Sequence, residues 1–163
     1  MQPPHLNLIA AWLGILLGFV SGLWLGLFFQ RDDWLGGYAS LKRRLYRLAH
    51  ISCFGLGAVN LLFYFTALSL PAGGRALVIA SQAFIAGAIS MPICCCLMAH
   101  MPRTKPLFAI PVLSLLVGAV LTLAQLIHQP PRTDPQAGTT DRAPIAFHAL
   151  ARTATDTKRT TNH

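Results

Sequence analysis

Long apolar blocks alternate with short polar ones along this chain. Four blocks stand out, at about Leu6 to Phe29, Leu48 to Leu70, Ala76 to His100 and Leu107 to Ile127. Each has roughly the 20 residues that a helix, rising 1.5 Å per residue, needs to cross a ~30 Å hydrocarbon layer. The pattern predicts an all-α protein, a four-helix transmembrane bundle over residues 1–128 with spans near 6–29, 48–70, 76–100 and 107–127. "PAGGR", residues 71–75, is read as a tight turn, because Pro71 cannot prolong the helix before it and two glycines relax the backbone. Spans two and three should then form an antiparallel hairpin. After His128 the chain turns rich in Thr and Pro and poor in large apolar residues, so residues 129–163 are expected to be a disordered tail.

The polar stretch between the first two spans has its own pattern. In "WLGGYASLKRRLYRLAH" Leu41, Leu45 and Leu48 recur at helical spacing, with Lys42, Arg43, Arg44 and Arg47 on the other faces. That suits a short interfacial helix leading into the second span, with Trp34 and Tyr38 in an aromatic belt.

Composition agrees with a membrane protein, at 54% hydrophobic and 11% charged residues. The net charge of +8 could suggest nucleic acid, but seven of the thirteen Lys and Arg residues lie in two short loops beside the spans. There is no basic, aromatic-interleaved domain to dock a strand, so no nucleic-acid partner is expected. By the positive-inside rule loops 30–47 and 101–106 are cytoplasmic and both termini, with the tail, extracytoplasmic, in a plasma or inner membrane. The first span, with no preceding Lys or Arg and a basic cluster after it, reads as a retained anchor and not as a cleaved signal.

Spacing within the spans predicts their packing. Gly14, Gly18, Gly22 and Gly26 recur every four residues in the first span, and such a stripe lets another helix approach closely. Ser114, Gly118 and Thr122 of the fourth span have the same spacing, which makes it one natural partner. A second copy of the first span, or a larger membrane complex, is the rival. In the second span His50, Cys53, Gly57, Asn60, Tyr64 and Ala67 form the seam of a left-handed helix pair. The third answers with Gln82, Ala86, Ile89, Ile93, Cys96 and His100. Counted outward from the turn, the two seams place Tyr64 against Gln82, and gather His50, Cys53, Cys96 and His100 within about one helical turn. Pro92 weakens that count, because it can kink the third span.

"SMPICCCLMAHM", residues 90–101, raises the question of a cofactor. Neighbours on a helix point about 100° apart, so Cys94, Cys95 and Cys96 cannot share one ion. His50, Cys53, Cys96 and His100 have the ligand types for a soft metal or zinc, and His50 with His100 could supply both axial ligands of a haem b. Small, adaptable packing without a cofactor is the reading that the spacing favours. Asn60, deep in a span, should be paired across the bundle, and Asn60, Tyr64 and Gln82 together form the expected polar seam. With no nucleotide, phosphate-loop or hydrolase motif, the sequence is read as a non-catalytic accessory or assembly subunit in contact with membrane lipid. A small transporter or channel is the alternative, for which the spans lack intramembrane Asp, Glu, Lys or Arg.

Overall fold

In the computed structural model, which describes residues 5–70 and 74–128, the chain is four helices with no strand among those residues. They are α1 (His5–Leu27), α2 (Leu41–Ser69), α3 (Arg75–His100) and α4 (Ala109–His128), with short 3-10 turns at Trp34–Gly36 and Pro102–Phe108. All four spans are long and apolar enough to cross a membrane. The tail after His128 and residues 71–73 of the hairpin turn lie outside the described residues.

The boundaries follow from local chemistry. Ser40 caps α2: its hydroxyl accepts from the Arg43 backbone N–H at 3.2 Å and donates to the Leu35 carbonyl at 2.7 Å. No proline interrupts the chain from there to Ser69, so the interfacial segment is no separate helix. It is the first turns of one 29-residue helix. Leu70 is extended ahead of Pro71, as a residue before proline should be. α3 runs through Pro92 as a single helix, and a Gly74 N-cap precedes it.

Most hydroxyls within the spans are satisfied without water. Thr66, Ser69, Ser90 and Thr122 each donate to a carbonyl four residues back in the same helix. Ser114 on α4 donates to the Ala83 carbonyl of α3 at 2.6 Å, a bond between helices.

Each helix packs chiefly on its neighbour in sequence, and α1 also touches α3. The result is a folded row and not a closed ring in which α1 meets α4. Phe63, Ala80 and Phe84 form the buried centre, with Val59, Ala67, Leu77, Leu115 and Leu121 around them. Gly118 of α4 lies against the Phe84 ring and Gly87 of α3 against Leu115.

The first helix therefore turns its small residues elsewhere than towards α4. Gly14 lies on the α2 backbone, where an added Cβ would stand 2.8 Å from the Cys53 oxygen and 3.2 Å from Gly57 Cα. Gly18 lies against the Phe54 ring and Gly22 against His50, whereas nothing comes within 4 Å of a Cβ at Gly26. A four-residue repeat drifts by about 40° per step, so the stripe rotates off the contact towards its end. The buried residues of α1 are Asn7, Ala11 and Gly18, which fit a 3.5-residue seam continued by Gly14 and Ser21.

Candidate functional site

Three helices meet at the end of the bundle that carries the start of α1. Asn7 and Asn60 are 0% exposed, and the Asn7 amide nitrogen donates to Asn60 Oδ1 at 2.8 Å and to the Ser81 carbonyl at 3.3 Å. Ser81 returns its hydroxyl proton to Asn7 Oδ1. The Asn60 amide in turn donates to the Leu56 carbonyl at 2.9 Å and to the Phe84 carbonyl at 3.4 Å. Every side-chain polar atom of this group has a partner, as a dry interior requires. It ties α1, α2 and α3 together at one level.

Below that clasp α1 and α3 part, leaving a cleft of about 980 Å³ floored by α2. Its walls are almost entirely apolar, with Leu13 and Leu17 of α1 and Ile89 and Ile93 of α3 among them. Among the described residues no Asp, Glu, Lys or Arg lines it. At the other end, nearer the basic loops, Tyr46, His50, Cys53, Cys96 and His100 all border the cleft.

The two histidines are held differently. His50 Nδ1 and Ser21 Oγ are 2.9 Å apart and share a hydrogen bond, and the Ser21 hydroxyl is also 3.0 Å from the Gly18 carbonyl. The His50 ring also packs edge-on to Phe54 at 5.4 Å. His100 lies on α3, and its Nε2 is 2.8 Å from the Tyr46 hydroxyl of α2. A hydroxyl thus engages each ring. Cys53 and Cys96 are half-buried free thiols, while Cys94 and Cys95 are buried, with Cys94 Sγ donating to the Leu107 carbonyl at 3.5 Å. Among the described residues no three of His, Cys, Asp and Glu come together as a metal ion would need.

The structure redistributes the expected seams. The α2 row of His50, Cys53, Gly57, Asn60 and Tyr64 is a packing face, but it meets α1. Gly22 lies on His50, Gly14 on Cys53 and Gly57, Asn7 on Asn60, and His5 beside Tyr64 at 6.1 Å. Gln82 is exposed, so Tyr64 and Gln82 do not pair. The α3 residues buried instead are Ala80, Ser81, Phe84, Gly87, Cys94, Cys95 and Ala99. The expected α3 row is turned outward, and its members Ile89, Ile93, Cys96 and His100 line the cleft.

Asn7, Ser21, Tyr46 and Ser81 were not anticipated. The seven-residue repeat of small and polar residues in α1 carries the signal for two of them, Asn7 and Ser21. Compared with protein-family models, with curated proteins and with solved structures, the chain has no match.

Proposed function

We propose that this protein is a non-catalytic accessory or assembly subunit of the membrane, and that the cleft between α1 and α3 receives a transmembrane helix of another subunit. One observation carries the reading. The α3 row Gln82, Ala86, Ile89, Ile93, Cys96 and His100 has the 3.5-residue spacing of a left-handed helix pair, yet none of the four described helices packs against its middle. Small residues on its two walls, Ala10 of α1 and Ala88 of α3, suit close approach of a backbone, the means by which helices associate in lipid. A transport role has less support, because such sites use charged groups at mid-membrane, and among the described residues no Asp, Glu, Lys or Arg lines the cleft.

A photocrosslinking residue placed at Ile93, within the cleft, tests this in the native membrane. Val112 on the exposed face of α4 serves as control. A protein adduct of one defined mass from Ile93 and not from Val112 is the expected result. An adduct at twice the 17.7 kDa chain mass would make the occupant a second copy. Lipid adducts alone from both positions would remove the reading.

A further inference from the structure

We propose that the basic end of α1 and α2 binds a phosphate group between Arg43 and Arg47. A cavity of about 240 Å³ lies there, sharing His50 with the helix cleft and bordered otherwise by Phe29, Trp34, Arg43 and Arg47. Gly22 and Gly26 form its α1 wall, and among the described residues no carboxylate lines it.

Arg43 is the reason to expect an anion. It is 1% exposed, although it stands only three residues into α2. One terminal nitrogen, Nη2, donates to the Phe29 carbonyl at 2.6 Å, and the other, Nη1, is buried with no partner. The guanidinium lies 4.1 Å from the centre of the Tyr38 ring and 5.4 Å from that of Phe29. Arg47, one turn further along α2, lies over the same two rings at 5.2 and 5.7 Å.

Two like charges four residues apart on a helix repel, and a buried guanidinium N–H without an acceptor is costly. Ring faces offset part of that cost but accept no hydrogen bond from Nη1 in this arrangement. A phosphate oxygen in the cavity supplies the missing acceptor and neutralises both charges, and the planar guanidinium fork fits that geometry. The cavity sits beside the last turns of α1 and the first of α2, the level at which the apolar helices give way to basic loops. A phospholipid headgroup or a free phosphate can each reach that level.

The site is tested on the full chain in a neutral detergent. Native mass spectrometry follows retention of phosphatidylglycerol against diacylglycerol, which lacks the phosphate, and thermal unfolding is compared with and without inorganic phosphate at matched ionic strength. Phosphatidylglycerol retention is expected to fall at least about tenfold in Arg47→Gln and in Arg43→Lys, since each removes a charge-assisted hydrogen bond. Arg43→Lys keeps the charge and loses the fork. The Lys42→Gln, Arg44→Gln double variant removes two exposed charges of the same segment and should bind as the parent does. Retained phosphatidylglycerol with no effect of inorganic phosphate identifies a lipid ligand, and stabilisation by inorganic phosphate alone identifies a soluble one. Equal retention of diacylglycerol, equal loss in the Lys42, Arg44 control, or no binding of either phosphate probe would overturn the proposal.

Discussion

The Asn7 amide donates to the Asn60 side-chain oxygen across 53 residues of sequence, and both side chains are fully buried. Among the described residues each is the other's only side-chain amide partner, while the backbone and Ser81 take up what remains of their hydrogen-bonding capacity. A double-mutant cycle with Asn7→Leu and Asn60→Leu, read by unfolding in mixed micelles, should give a coupling of about 1 kcal/mol. Each single variant should cost about 1–3 kcal/mol, because it strands a buried polar group, and the double variant less than their sum. Strict additivity would mean that the bond contributes nothing to the tertiary fold.

The four glycines of α1 should not behave alike. Gly14→Ala forces a Cβ into the α2 backbone, which cannot yield as a side chain can, and is expected to cost about 2–3 kcal/mol. Gly18→Ala and Gly22→Ala press on the Phe54 and His50 rings and should cost less, the latter also disturbing the Ser21 bond. Gly26→Ala meets open space and should be neutral or stabilising by about 0.5–1 kcal/mol. Thermal unfolding of the four variants in one detergent gives the ranking directly.

Leu35 occupies the left-handed region, with φ 57° and ψ 26°, ahead of two glycines that also have positive φ. A branched side chain is unfavourable in that conformation. Leu35→Asn should therefore raise stability by about 0.5–1 kcal/mol, observed as a higher midpoint in thermal unfolding. A fall in the midpoint would mean that the packing of the leucine side chain outweighs its backbone strain.

Haem ligation by His50 and His100 would require His100 Nε2 to leave the Tyr46 hydroxyl. The protein, expressed with ample haem, is accordingly expected to show no Soret band, before or after reduction with dithionite. A reduced spectrum with sharp α and β bands, lost in His50→Ala and in His100→Ala, would contradict this.

The four spans were legible because length and apolarity alone decide whether a helix crosses a membrane. The α2 seam was legible too, since His50, Cys53, Asn60 and Tyr64 share one face. What the sequence could not supply was the neighbour that the face meets. Counting outward from the hairpin turn gives depth but not rotation about the helix axis, so Tyr64 and Gln82 share a level without sharing an interface. The glycine repeat misled for a related reason: a four-residue period matches a helix only over a short stretch. Arg43 looked like any other loop cation, and its burial depends on Phe29, Trp34 and Tyr38 folding over it, a tertiary event with no local signature.

The clasp at Asn7 also dictates an order of events during synthesis. When α1 first enters the lipid, the acceptors of its asparagine have not yet been made, because Asn60 and Ser81 lie 53 and 74 residues downstream. Until the third helix arrives, the amide lacks these partners. α4 contributes nothing to that group, so the first three helices can lock as a unit before the last one docks on α3.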